Sequence, residues 1–172
     1  MSKNLVIYYS RKGENYVNGG IKKIEKGNTE VVAEYIRDAV GADLFEVDTV
    51  VPYSEDYMTC INEAKEEMQK GKRPELKELL TDISNYDNIV IAGPCWWGTY
   101  PMAIFTQLEA LDFTGKNVFA LMTHEGSGQA GSERDVKKYC KGARVGKSLA
   151  VQGGKVSSER TTVEKWAKEN LK

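Results

Sequence analysis

The stretch Asp87-Asn88-Ile89-Val90-Ile91-Ala92-Gly93-Pro94-Cys95-Trp96-Trp97-Gly98-Thr99 decides the fold. Its uncharged run from Ile89 to Ala92 is apolar at consecutive positions, so both faces of a strand built from it must be buried. That is the habit of a central strand in a parallel sheet with helices on both sides. Pro94 has no N–H with which to continue a ladder, so the strand ends there. Two adjacent tryptophans and a glycine follow. A loop at the carboxyl end of a central strand is where open α/β sheets hold their ligands, and flat indoles there predict a planar heterocycle.

Outward from this strand, the chain alternates short apolar runs with helical periodicity. Residues 5–9 read as a first strand and 42–47 as a second, with 117–123 and 148–151 as the fourth and fifth. Between them, Val31, Val32, Tyr35, Ile36 and Ala39 fall at helical spacing, with Asn28 or Thr29 as cap and Gly41 as stop. Residues 53–70 predict a helix with Tyr57, Ile61, Ala64 and Met68 on one face. Helices are also expected over 102–111, from Gly128 to about Tyr139, and over 157–171 with Ser157 or Ser158 as cap. A strand–helix unit repeated five times with right-handed crossovers predicts a five-stranded parallel sheet between two helical layers. The loop 11–27 is long for a connection of this kind. Its apolar residues Tyr16, Val17, Ile21 and Ile24 predict that it packs on the body.

At 172 residues the chain suits one domain, 1–172, able to bury roughly 70% of its unfolded surface. A net charge of −1 with 28% charged residues excludes the basic stripe of a nucleic-acid-binding protein. No apolar segment approaches the roughly 20 residues that span a bilayer. The start, Met1-Ser2-Lys3-Asn4, lacks a signal-peptide pattern. Three scattered cysteines (Cys60, Cys95, Cys140) and one histidine argue against a disulfide framework and against a metal site, and fit a reducing cytoplasm.

The unusual residues gather after strands one, three and four. Ser10, with Asn28-Thr29 at a helix start, offers hydroxyl, amide and unpaired N–H donors suited to a phosphate; a serine in a turn and a plain cap is the structural alternative. Pro94-Cys95-Trp96-Trp97-Gly98-Thr99 carries two indoles that a loop cannot easily bury together. Cys95 reads as a small hydrophobe rather than a redox thiol. In Thr123-His124-Glu125-Gly126-Ser127-Gly128 the glycines allow close approach of backbone to a ligand, and His124 is either a satisfied structural group or a ligand contact. Two motifs are discounted. Gly126-Ser127-Gly128-Gln129-Ala130-Gly131 matches a dinucleotide fingerprint, but the next strand ends in Gln152-Gly153-Gly154 without the acidic residue that holds a ribose. Gly146-Lys147-Ser148 lacks the first glycine of a phosphate loop and leads into a strand. A phospho-acceptor receiver would need an aspartate where Pro94 stands.

At Ser10-Arg11…Gly27-Asn28-Thr29, Pro94 to Thr99 and His124 to Gly128 the chain resembles the flavodoxin family over essentially its full length. The resemblance implies a three-layer α/β/α flavodoxin-like fold with strand order 2-1-3-4-5, the order the family itself exemplifies. It implies FMN as cofactor, no metal and no catalytic residue. Ser10, Asn28 and Thr29 would take the phosphate, and Pro94, Cys95, Trp96, Trp97, Gly98, Thr99, His124, Glu125, Gly126, Ser127 and Gly128 would flank the isoalloxazine ring. The family's short phosphate loop is here split by residues 11–26, so Arg11 and Asn15 join the candidate cofactor contacts. Electron transfer to a redox partner protein or a small-molecule acceptor is the leading expectation. An FMN-dependent NAD(P)H:quinone-type oxidoreductase is the alternative, and a cofactor-free binding or regulatory module on the same fold is a third. The near-neutral charge departs from the acidic surface typical of carrier flavodoxins.

Overall fold

The computed structural model describes residues 2–172; Met1, part of the amino-terminal stretch read above, lies outside them. In chain order the elements are β1 (Asn4–Tyr8), β2 (Gly13–Val17), β3 (Gly20–Ile24), α1 (Asn28–Val40), β4 (Asp43–Glu46), α2 (Tyr57–Gln69) and β5 (Asn88–Pro94). They continue with α3 (Met102–Leu108), β6 (Asn117–His124), α4 (Ser132–Tyr139), β7 (Arg144–Val145), β8 (Leu149–Gln152) and α5 (Arg160–Asn170). The parallel sheet runs β4-β1-β5-β6, and the fifth position is shared by β7 and β8, which pair with the start and the end of β6. Setting aside the β2–β3 pair, this is the expected order 2-1-3-4-5, with its last strand broken in two.

Alternation of side chains along each strand divides the core into two layers. Leu5, Ile7, Ile89, Ile91, Ala120 and Met122 meet α3 and Val136 of α4 on one face. Val6, Tyr8, Val90, Ala92, Phe119 and Leu121 meet α1 and α5 on the other. The apolar run that decided the fold is therefore fully inside, as a strand covered on both faces must be. Asn4, Asn88 and Asn117 lie side by side in the ladder. Asn88 Nδ2 donates to Asn4 Oδ1 at 2.9 Å and Asn117 Nδ2 to Asn88 Oδ1 at 2.9 Å. A one-residue slip would leave these buried amides unpaired, so they pin the register.

Three expectations are corrected. Residues 11–27 are an antiparallel hairpin, β2–β3, closed by Asn18 (φ 51°) and Gly19 (φ 83°). Two central residues with positive φ make a type I′ turn, whose twist suits a hairpin and for which Asn-Gly is the preferred pair. Neither Asn28 nor Thr29 caps α1. Gly27 holds the cap position without a side chain, and the Ser10 hydroxyl, brought from the end of β1, accepts the Glu30 N–H at 3.0 Å. Likewise Ser157 and Ser158 do not cap α5; a 3₁₀ turn over Gly153–Ser158 precedes it, and Ser158 Oγ donates to the Lys155 carbonyl. The stop at Gly41 is as expected, with φ 70°.

Candidate functional site

Every loop singled out above lies at the carboxyl edge of the sheet. The first corner is the start of α1. Its opening N–H groups, those of Asn28 and Thr29, find no acceptor among the described residues, as expected where a helix has no preceding turn to donate into. Ser10 accepts from Glu30 and keeps its own O–H free to donate. A Cβ on Gly27 would collide with Ser10 Oγ and lie 2.7 Å from the Arg11 carbonyl, so only glycine lets the two segments close into one cradle. The Thr29 side chain is not in the cradle. It is buried, and its hydroxyl pairs with that of Thr123 at 2.7 Å; Thr29 offers its N–H.

The second corner is the turn after β5. Trp96 and Thr99 bridge each other, and between them Trp97 (φ 57°) and Gly98 (φ 83°) both have positive φ. A tryptophan in this region is uncommon and strained. The tie that imposes it is twofold: the Gly98 carbonyl accepts the Gly131 N–H at 2.9 Å, and the Trp97 indole N–H donates to the Ile61 carbonyl of α2 at 2.9 Å. The two indoles have different jobs. Trp96 packs edge-on against Tyr9 and Tyr53, with centroids 5.2 and 5.1 Å away, and lies half-buried against the core. Trp97 is 45% exposed. Thr99 is buried and its hydroxyl bonds Asp135, and the Cys95 N–H donates to the Thr123 carbonyl, so the turn is braced against both β6 and α4.

The third corner follows β6. His124 Nδ1 accepts the Gly126 N–H at 2.9 Å, which leaves Nε2 as the protonated nitrogen of a neutral ring. Burial lowers the His124 pKa, against an upward pull from Glu125. Glu125 Oε2 accepts the Asn18 N–H of the hairpin tip at 3.4 Å, while Oε1 is buried with no partner among the described residues. A Cβ at Gly153 would meet Asn28 Nδ2 and lie 2.9 Å from Glu125 Oε1, so the third corner and the α1 cradle share a wall. Gly126 and Ser127 are exposed, and Gly128 has φ 61° with open space around it.

Arg11 and Asn15 are brought elsewhere. Asn15 Nδ2 donates to the Arg11 carbonyl at 2.6 Å. The Arg11 guanidinium donates to the carbonyls of Glu14, Ser54 and Glu55 at 2.8, 2.9 and 3.1 Å, tying the hairpin base to the segment that enters α2. Glu14 Oε1 accepts the Tyr57 N–H at 2.9 Å, and Tyr16 stacks on Tyr57. Thus the hairpin is anchored to α2 at its base and touches Glu125 and Gly154 at its tip. It straps the carboxyl edge from one side to the other. Beneath its base lies a cleft of about 220 Å³ lined by Arg11, Tyr57, Cys60, Ile61, Ala64, Cys95, Trp96 and Trp97. Burial pushes the Cys60 thiol up to about 11, against the pull of Arg11.

The residues from α2 and the hairpin tip are the ones sequence reasoning missed. Tyr57, Ile61 and Ala64 read as an inward face, which does not reveal that the face opens beside Trp97. Asn18-Gly19 was a legible hairpin signal.

The doubly wound sheet, with its topological switch point between β1 and β5, defines a flavodoxin-like α/β protein. A family model described as flavodoxin matches residues 24–170, and the chain belongs to the flavodoxin family. Among solved structures it is similar to a candidate flavoprotein from Bacteroides eggerthii, at 25% identity over 100% of this chain and 99% of that one, with TM-score 0.77. A candidate flavoprotein from Bacteroides uniformis shares 27% identity over 97% and 98% of the two chains, with TM-score 0.74. A flavoprotein in complex with FMN from Lactobacillus acidophilus has the same fold at 22% identity, 92% and 98% coverage and TM-score 0.65. No protein of curated description matches. Among the described residues no helix is long and apolar enough to cross a membrane, and no cluster of His, Cys, Asp and Glu could hold a metal ion.

Proposed function

We propose that this chain binds FMN and passes electrons between a donor and an acceptor. The α1 cradle carries the reading: among the described residues two N–H groups find no acceptor, Ser10 keeps a hydroxyl hydrogen to donate, and Gly27, where a Cβ would strike Ser10, lets the two segments close together. That donor set suits a phosphate ester, held by N–H groups at the positive end of a helix rather than by a cation. Of the cations in residues 11–27, Lys26 is paired with Glu34 and Arg11 donates to main-chain carbonyls. Support comes also from the FMN complex of the Lactobacillus acidophilus flavoprotein, which shares the fold.

In this reading Ser10, Asn28 and Thr29 hold the phosphate, and the 94–99 and 124–128 loops border the ring. When bound, FMN supplies one- and two-electron transfer. Trp97 shields the ring from water, and the neutral His124 offers a donor from Nε2 without adding charge. The test is retention of FMN by the purified protein after desalting, followed by absorbance, with riboflavin as the phosphate-free control. Retention of FMN alone is expected. Retention of neither would overturn the assignment.

A second reading, NAD(P)H-driven reduction of a small-molecule acceptor, is favoured by the cleft beside Trp97. Rapid NAD(P)H oxidation that requires an added quinone is its signature.

A further inference from the structure

We infer that the cleft between the hairpin base, α2 and the Trp96–Trp97 turn is a second binding site, for a planar aromatic molecule bearing an anionic oxygen. Three features of the cleft point to it. Its walls are flat or apolar: Tyr57, Ile61 and Ala64 on one side, Trp96 and Trp97 on the other. Tyr16, stacked on Tyr57 with a 26° angle between rings, extends the aromatic wall outward along the hairpin. At about 220 Å³ it is smaller than the roughly 300–1,000 Å³ of drug-sized sites, which suits one or two fused rings.

The second feature is the state of Arg11. Its guanidinium is half-buried, and its partners are main-chain carbonyls from three residues, not carboxylates. Carbonyl dipoles orient the fork without forming an ion pair, and the Asp56 carboxylate feels the charge from beyond ion-pair distance, so the guanidinium can still engage an anion. The three bonds are made by Nε and Nη2. Among the described residues Nη1 donates to no oxygen, and the Cys60 thiol beside the guanidinium is a weak acceptor that leaves this edge to a ligand.

The third feature is position. Trp97 faces both the cleft and the turn whose other half, Gly98, is tied to Gly131. A molecule seated between Tyr57 and Trp97 therefore lies next to the corner assigned to the flavin ring. Its standing as the electron acceptor rests on the FMN reading; the binding itself does not.

The probe is 2-naphthoate, added to uniformly ¹⁵N-labelled protein with and without FMN. The chain has three tryptophans, so each indole N–H gives one resolvable signal. The Trp96 and Trp97 signals are expected to move on titration and that of Trp166, on the far face, to stay. The neutral analogue 2-naphthalenemethanol should bind about tenfold more weakly, a difference of about 1.4 kcal/mol. Arg11→Gln should remove the preference for the anion, and Arg11→Lys should keep most of it. Because Arg11 also anchors the hairpin, Ile61→Phe, which fills the cleft and leaves the anchor intact, provides the second test: it should abolish binding of both probes. Equal affinity for the acid and the alcohol would overturn the anion assignment. Loss of the probe on FMN addition would show that the cleft is part of the flavin site. Failure to retain FMN with the naphthoate response intact would sink the flavin reading alone.

Discussion

The Gly98 carbonyl accepts the Gly131 N–H at 2.9 Å, so the turn after β5 is tied to the start of α4. Turning that carbonyl toward a ligand would break a bond worth about 1 kcal/mol. A Cβ at Gly98 would touch nothing within 4 Å, so the cost of any side chain there is in the backbone, at φ 83°. Gly98→Val is expected to lose about 1–2 kcal/mol, read as a fall in Tm of roughly 2–8 °C. Gly98→Asn, whose side chain tolerates this region, should lose less than half as much. Equal losses would show that the backbone conformation is not what glycine supplies.

Ser10 serves the fold and the proposed ligand through one oxygen. Ser10→Ala leaves the Glu30 N–H without its acceptor, at a cost of about 1 kcal/mol, or roughly 2–4 °C in Tm. The ligand effect is separable by titrating FMN against riboflavin. FMN should bind at least tenfold more weakly and riboflavin unchanged; an equal loss for both would remove Ser10 from the phosphate cradle.

Glu125 Oε1 is buried without a partner among the described residues and shares a wall with Asn28. A carboxylate beside a phosphate repels it. Glu125→Gln keeps the shape and removes the charge, and is expected to tighten FMN binding several-fold at low salt, with a smaller gain at high salt. An unchanged Kd at low salt would place Glu125 away from the phosphate.

His124 has its pKa lowered by burial, so the unfolded chain takes up the proton at a higher pH than the folded one. The contribution of this neutral ring is full above the ordinary histidine value of about 6.5 and is lost as pH falls through the lower folded value. The wild-type Tm should therefore drop more steeply from about pH 7.5 to about pH 5 than that of His124→Gln. Parallel curves would show that His124 is not protonated differently in the two states.

Much of the fold was legible because its signals are local. Consecutive apolar residues at Ile89 to Ala92, helical spacing from Val31 to Ala39 and the stop at Gly41 each report a backbone state within a few residues. The split of the last strand into β7 and β8 carried no such signal, since neither piece has a pattern of its own. The hairpin was written in Asn18-Gly19, but its strands mix lysines with apolar residues and hide the alternation. Of the two tryptophans, nothing in the order Trp96-Trp97 says which goes inward. Tyr9 and Tyr53, far away in the chain, settle it by packing on Trp96.

The sequence by itself determined the alternating strand and helix pattern, the double burial of β5 and the gathering of unusual residues after three strands, because periodicity and turn chemistry act over short range. Only the tertiary structure decided that Ser10 caps a helix begun near residue 28, that Thr29 turns inward to Thr123 and that Arg11 faces a cleft. Each of those depends on which distant segments meet at the carboxyl edge of the sheet, and that is set by packing two hydrophobic layers against one parallel sheet.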